Sequence, residues 1–265
     1  MNNSPEIYLT RGREGCALAE ERGAIAIVVD ALRASTTIAA LFDLGVQRVL
    51  VVAQVDDALA LAEQEPDALL VGERCGERLP GFHLGNSPLE AFSSPDLSCR
   101  TAIFTSSNGA QRLTACLHAH RTLVGSVSNA GPLIEWTRRT ADTEGCPVVL
   151  VAAGKYPDEH YISPEDEASC CYLAARIGLP IAAPSRASFD GWEHELIVRG
   201  LEDIFRRSAH AQRLMEIGYS EDVLFCARVD TLCALPVVTG PVTLGTRQIG
   251  VEVRNLNTSH DTSEG

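Results

Sequence analysis

The feature that most restricts the fold is a recurring alternation. Short runs of β-branched and aliphatic residues are each followed by a stretch with helical spacing. Residues 24–30 (AIAIVVD), 48–53 (RVLVVA), 68–72 (ALLVG), 100–105 (RTAIFT), 122–127 (TLVGSV) and 147–153 (PVVLVAA) are such runs. Strands covered on both faces read this way because neither face meets water. Between them, residues 35–44, 56–65, 110–119, 131–142 and 164–177 read as helices. Gly45 stands where a helix end favours a left-handed residue. Asp56 or Asp57 can cap the second helix, which Pro66 ends. Ser163, Pro164 and Asp166 form the N-terminal signature of the last. Such alternation predicts an α/β fold, three α/β/α layers around a mostly parallel or mixed sheet.

Further along, residues 181–183 read as a short strand and 192–218 as helical with a break near Ser208. Ser220 opens another helix, and 235–238 and 248–253 read as the last strands. Residues 1–256 are expected to form one α/β domain, with a weakly marked division near residue 155. The polar tail 257–265 is expected to be disordered.

Charge narrows the partners. With 22 basic against 35 acidic residues the chain carries a formal charge of −13, and no basic run exceeds a pair. A broad nucleic-acid or anionic-membrane footprint needs a basic face, so neither partner is expected. An anion can still bind where a few donors converge. Nine cysteines with no CxxC pair suit reduced thiols better than a disulfide framework or a zinc knuckle. With no apolar run of spanning length and no secretory signal pattern, the expected location is the cytoplasm.

In doubly covered sheets, ligands collect where strand carboxyl ends lead into helices. That rule selects Asp30 with Arg33, Ser35, Thr36 and Thr37; Glu73 with Arg74; Ser106, Ser107, Asn108 and Gly109; and Glu165 with Asp166. A helix start rich in hydroxyls offers free N–H groups to a phosphate. Arg33 adds a planar fork matched to phosphate oxygens. Asp30 and Glu73 are hard oxygen donors of the kind Mg²⁺ takes together with water and substrate phosphate. Each element alone has an ordinary reading as a cap or a turn, and the case rests on their convergence. The chain has no GxxxxGK[ST] loop, no GxSxG elbow and no GxGxxG fingerprint. Leu32 stands where haloacid dehalogenase phosphatases carry a second aspartate. The C-x₅-R strings 16–22 and 170–176 lack the glycine-rich loop of cysteine phosphatases.

Taken in order, VDALRASTT (29–37), GER (72–74), GFHLGNSP (81–88), TSSNG (105–109), SPED (163–166) and GYSEDV (218–223) resemble successive motifs of the 2-phosphosulfolactate phosphatase family. The resemblance runs from about residue 24 to 238, and LRASTT together with GNSP is its most specific part. Cys75 stands where the family usually has glycine, and His83 where it commonly has aspartate. His83 could add a donor near an anionic substrate or cap its loop.

The resemblance implies a Mg²⁺-dependent hydrolase acting on a small anionic phosphate ester of a 2-hydroxycarboxylic acid. The namesake step converts 2-phosphosulfolactate to sulfolactate and phosphate, on the route to coenzyme M. Under this reading Asp30, Glu73 and Asp166 or Asp222 hold the metal, while Arg33 and Asn108 stabilise the phosphoryl group. Ser35, Thr36, Arg74, Asn86, Ser87, Ser107 and Gly109 bind substrate. Asp30 could instead be a nucleophile that forms an aspartyl-phosphate. A phosphatase for another 2-phospho-hydroxyacid, or a non-catalytic anion-binding module on the same fold, remains the alternative. A homo-oligomer is compatible with the sequence.

Overall fold

The structure, a computed structural model, describes residues 4–258. Among these described residues, ten strands join in one mixed sheet, and their order departs strongly from chain order. The strands are β1 (Ile7–Arg11), β2 (Ile25–Val29), β3 (Arg48–Val52), β4 (Leu69–Arg74), β5 (Glu77–Arg78), β6 (Thr101–Thr105), β7 (Arg121–Val124), β8 (Val148–Ala152), β9 (Pro236–Leu244) and β10 (Arg247–Asn255). They lie in the order β1-β8-β2-β7-β9-β10-β3-β6-β4-β5. Strands β1, β8, β2 and β7 pair in parallel, as do β3, β6 and β4. The hairpin β9–β10 runs antiparallel between these two groups and welds them together.

That placement corrects the expected size and setting of the last two strands. Both are longer than residues 235–238 and 248–253, and they sit in the middle of the sheet. At position 250 the seam tolerates only glycine, since a Cβ there would lie 2.0 Å from the Val51 carbonyl oxygen. Strands drawn from both sides of residue 155 share this sheet.

Side chains alternate between the two faces with the period of two that a strand imposes. Ala26 and Val28 of β2, Val49 and Val51 of β3, and Val149 and Val151 of β8 share one core. Three helices pack there: α1 (Gly12–Glu21), α2 (Ala34–Asp43) and α5 (Gly109–Ala115). Ile25, Ile27 and Val29 of β2 face the opposite side with Val148 and Leu150 of β8. There they meet α6 (Ala130–Glu144), α7 (Pro164–Ile177), α8 (Arg186–Arg207, interrupted at Gly200), α9 (Ala209–Glu216) and α10 (Ser220–Cys226). Leu50 and Val52 of β3 cover α3 (Val55–Gln64) on the same side. A short helix, α4 (Pro88–Phe92), completes the set.

The sheet is not flat. Every residue of α2 except Asp43 is buried, which a helix on one face of an open sheet would not be. Strands β2 and β6 are five steps apart in the sheet, roughly 24 Å at ordinary strand spacing. Yet a Cβ on Gly109, just after β6, would lie 2.7 Å from Asp30 Oδ2, just after β2. The sheet therefore curls around α2, bringing the carboxyl ends of its two parallel groups together.

Several boundaries fall where the sequence puts them. Helix α7 spans the expected residues, and the break near 208 is the start of α9, whose Ser208 hydroxyl accepts from Ala211 N at 3.1 Å. Other expectations are corrected. The strand β1 and helix α1 were not anticipated. Residues 181–183 contribute one isolated bridge, Ile7 to Ile181, rather than a strand. Asp57 does not cap α3 but pairs with Arg247. All nine cysteines are unpaired. Residues 256–258 form a 3-10 turn, and 259–265 of the expected tail lie outside the described residues. Among the described residues, no helix is long and apolar enough to cross a membrane.

Candidate active site

Where the carboxyl ends meet, they enclose a cavity of about 410 Å³. Four carboxylates line it: Asp30 after β2, Glu73 on β4, and Glu165 and Asp166 in the first turn of α7. Acidic residues suit that turn because the helix dipole is positive there. The third of the run, Glu167, faces elsewhere and pairs with Arg11 at 2.6 Å. Lys155, His210 and Arg213 line the cavity as well, with Tyr156 and Tyr161.

The acids are held by backbone N–H groups from other loops. Asp166 Oδ1 accepts from Ala31 N at 2.8 Å and Oδ2 from Gly154 N at 3.0 Å. Glu73 accepts from Ser107 N at 2.7 Å and from Gly76 N at 2.8 Å. Asp30 Oδ1 accepts from Ala34 N at 3.4 Å, while its other oxygen faces Gly109. These bonds fix the carboxylates without supplying a full counter-charge.

Protonation shows the strain of this crowding. Burial, with a contribution from Glu73, pushes the Asp30 carboxyl from its ordinary 3.8 up to about 6, although His210 and the backbone donors pull the other way. Burial and the neighbouring Glu165 and Asp30 raise Asp166 well above the usual carboxylate range. Tyr161 is raised too, by burial and then by Glu165 and Asp166. Two further acceptors, Glu165 Oε2 and Asn86 Oδ1, are buried without a hydrogen-bond partner.

This donor set fits a hard divalent cation. Clustered, half-compensated carboxylates and an orphaned carboxylate oxygen are what Mg²⁺ would relieve. Among the described residues the pocket acids do not form a compact trio with ligand atoms within 4.8 Å of one another. That spread suits an ion that keeps several waters and takes only one or two carboxylates directly.

Of the residues selected from sequence, Asp30, Arg33, Glu73, Asn86, Ser107, Asn108 and Asp166 meet at this cavity. Asn108 Oδ1 accepts from Tyr156 N at 3.0 Å, which leaves its amide N–H₂ as the group it can offer an anion. Arg33 is almost fully buried. It donates to Asp222 Oδ2 and to the Gly76 carbonyl oxygen, both at 2.7 Å, and stacks 4.0 Å from the Tyr219 ring centroid.

The other selected residues lie behind that lining. Asp222 does not face the cavity as a metal ligand: Oδ2 takes Arg33, and Oδ1 accepts from Ser87 Oγ at 2.9 Å and Leu89 N at 3.4 Å. Ser87 caps α4, accepting from Glu90 N. Ser35 Oγ accepts from Asp30 N at 3.0 Å, and Thr36 Oγ1 sits 3.5 Å from Ser128 Oγ, so both hydroxyls are spent inside the fold. Arg74 turns back onto Ala53, Thr105 and the Glu73 carbonyl. Gly109 contributes a close backbone approach to Asp30 rather than a contact with the cavity. Of the two departures, Cys75 lines the cavity at a φ of 56°, whereas exposed His83 accepts from Leu70 N through Nδ1 and holds its loop.

Sequence reasoning had placed Glu165 at a strand end but not among the ligands, and it missed Lys155, Tyr156, Tyr161, His210 and Arg213. A signal existed for one of them: Lys155 is the only lysine in the chain and directly follows the strand-end glycine. His210 and Arg213 had none, since they arrive from α9, far along the chain.

Comparison with known proteins agrees with the motif reading. The family model described as 2-phosphosulpholactate phosphatase matches residues 14–241. A probable 2-phosphosulfolactate phosphatase of Carboxydothermus hydrogenoformans is 33% identical over 216 residues, covering 79% of this chain and 84% of that protein. One from Symbiobacterium thermophilum is 33% identical over 227 residues, 83% of this chain and 93% of its own. A third, from Gloeobacter violaceus, is 32% identical over 216 residues, with 80% and 86% covered.

Proposed function

The chain belongs to the 2-phosphosulpholactate phosphatase family, and from that premise we propose that it hydrolyses the phosphate monoester of a small 2-hydroxycarboxylic acid with Mg²⁺ as cofactor, 2-phosphosulfolactate being the foremost candidate. The observation that carries the proposal is the meeting of Asp30, Glu73, Glu165 and Asp166 with Lys155, His210 and Arg213 in one cavity. Four acids facing a phosphate dianion would repel it, so an anionic substrate needs a cation between them. Dependence on Mg²⁺, 2-phosphosulfolactate as substrate and a place in coenzyme M synthesis are all parts of this proposal.

Mg²⁺ held directly by one or two of Asp30, Glu73, Glu165 and Asp166, and through water by the others, would supply positive charge to the phosphoryl oxygens. The chain's own residues do the rest. Lys155 and Arg213 offer charge to the phosphate and to the second acidic group of the substrate. Asn108 donates its amide to a phosphoryl oxygen, and Asn86 orients the acid end. Arg33, its charge balanced by Asp222 and its plane fixed on Tyr219, can offer only its remaining N–H groups at the wall, where a positioned donor is worth about 3–4 kcal/mol in a transition state.

In the reaction the P–O(ester) bond breaks, water supplies the new P–O bond, and the leaving alkoxide gains a proton, which His210 beside Asp30 can deliver. Asp30 either binds the cation or attacks phosphorus itself. Inversion at an isotopically chiral phosphorus identifies direct attack by water, whereas net retention identifies an aspartyl-phosphate. The deciding assay is phosphate release from 2-phosphosulfolactate and 2-phospholactate, with and without Mg²⁺. Turnover that chelator abolishes and Mg²⁺ restores is expected. Binding of both esters with no phosphate released would overturn the proposal and favour an anion-binding module.

A further inference from the structure

At the opposite end of the sheet, where strands begin, three side chains of different chemistry converge. His120 immediately precedes β7, Glu144 is the last residue of α6, and Cys146 lies just before β8. One ligand atom from each lies within 4.8 Å of the other two, the sole such trio of His, Cys, Asp or Glu among the described residues. His120 Nε2 contacts Glu144 Oε2 directly. We propose that His120, Glu144 and Cys146 form a zinc-class metal site, separate from the candidate active site, in which three protein ligands and a water complete a tetrahedron.

The chemistry of the trio selects the ion. A thiolate, an imidazole and a carboxylate suit a borderline-soft d¹⁰ cation and suit Mg²⁺ poorly. Thiolate and carboxylate together balance the two positive charges of Zn²⁺, so the loaded site is neutral. Tetrahedral coordination at Zn–S and Zn–N/O lengths of about 2.3 and 2.1 Å spaces ligands roughly 3.4–3.7 Å apart.

Its frame is rigid. The His120 N–H donates to the Ala24 carbonyl at 3.1 Å, and the Ile25 N–H donates to the Pro147 carbonyl at 2.9 Å, so the start of β2 pins both sides. Gly145, left-handed at φ 66°, turns the chain so that Cys146 comes back beside Glu144. The negative end of the α6 dipole points at the site and favours a cation.

Access and charge fit as well. His120 and Glu144 are about one-third exposed, and the Cys146 sulfur lies beneath them. Burial, and then Glu144, raises the Cys146 thiol, opposed by a backbone hydrogen bond and then by Arg121. A bound cation reverses that penalty and displaces the thiol proton, so affinity rises with pH.

Cobalt(II), a spectroscopic stand-in for zinc, tests the site in the intact chain with excess Mg²⁺ present to fill oxygen sites. One equivalent is expected to give near-ultraviolet sulfur-to-cobalt absorption that zinc then displaces. Losing even a hydrogen-bond partner of a ligand costs about 10–100-fold in affinity. Cys146→Ser and His120→Ala should therefore each weaken binding at least that much, while Cys75→Ser at the other end leaves the band in place. His120 is exposed, so His120→Ala keeps the test valid even if Cys146→Ser folds poorly. No thiolate band, or a band that survives both variants, would overturn the site. The cobalt readout requires no phosphatase turnover, so it stands or falls apart from the active-site reading.

Discussion

Replacing Asp30 with asparagine separates its structural cost from its chemistry. The carboxyl rises from 3.8 to about 6 on folding, chiefly through burial. At about 1.4 kcal/mol per pH unit, that difference amounts to about 3 kcal/mol. A raised carboxylate pKa means that the native state binds this proton more tightly than the unfolded chain. As far as Asp30 is concerned, stability is therefore fully present below pH 3.8 and is lost as pH climbs through 6. Asparagine has no such proton. The stability of Asp30→Asn minus that of the parent should thus grow by about 2.5 kcal/mol between pH 4 and pH 8, the remainder falling below pH 4.

The substitution also alters hydrogen bonds to Ala34 and Gly109, but that offset does not depend on pH and cancels in the slope. Relief of Asp166, which Asp30 helps to raise, acts in the same direction. Urea unfolding of both chains in chelator at several pH values reads the slope directly. At pH 8 the parent should regain stability on adding Mg²⁺ and the variant much less, while phosphate release by the variant falls by orders of magnitude. A stability difference that stays flat from pH 4 to pH 8 would refute the reasoning. So would a variant with parental turnover.

Three other substitutions probe different parts of the site. Gly109→Ala places a Cβ 2.7 Å from Asp30 Oδ2 and 2.8 Å from Ala34 Cβ; overpacking should cost about 1–3 kcal/mol, read by thermal unfolding, and a misplaced Asp30 should cut turnover about 100-fold. Arg33→Ala strands Asp222 as an unpaired buried charge, so the urea midpoint should drop by the equivalent of about 3–5 kcal/mol, with partial recovery when Asp222→Asn is added. Glu165→Gln keeps the side-chain volume but removes a charge whose Oε2 has no partner and which helps to raise Asp166; half-saturation by Mg²⁺ should move to higher concentration in a phosphate-release titration, while stability in chelator at pH 8 rises.

The sequence was legible where local rules decide the outcome. Helix α7 follows from Ser163, Pro164 and an acidic first turn; α9 follows from Ser208. The strand-end rule selected Asp30, Glu73, Asn108 and Asp166 because it depends only on where an apolar run stops. What it could not select depends on direction and distance. Ser35 and Thr36 looked like phosphate ligands, but their hydroxyls found backbone and Ser128 partners first, as short polar side chains in tight segments commonly do. Asp222 has the chemistry of a metal ligand and instead meets Arg33, because α10 arrives behind the cavity. The strand β1 escaped notice because Ile7-Tyr8-Leu9-Thr10 is a short run bounded by charge. Strand order, and with it the curl around α2, is set by pairings that no local pattern encodes.

The carboxylates of this site are also what joins its loops. Asp166, on α7, bonds to Ala31 beyond β2 and to Gly154 beyond β8. Glu73, on β4, bonds to Gly76 in the β4–β5 turn and to Ser107 beyond β6. Asp30 packs onto Gly109, closing the gap between the two parallel groups. Each acid thus ties together strand ends that the sheet alone leaves apart, and all three lie at the same cavity. A loss of turnover on changing any of them therefore mixes a missing charge with a loosened loop. Loosening acts at every pH, while the charge acts only where the carboxyl is ionised. The pH slope of stability, measured beside turnover, is the quantity that separates them, and if Asp166→Asn lowers stability equally at pH 4 and pH 8, its role is to join the loops rather than to carry charge.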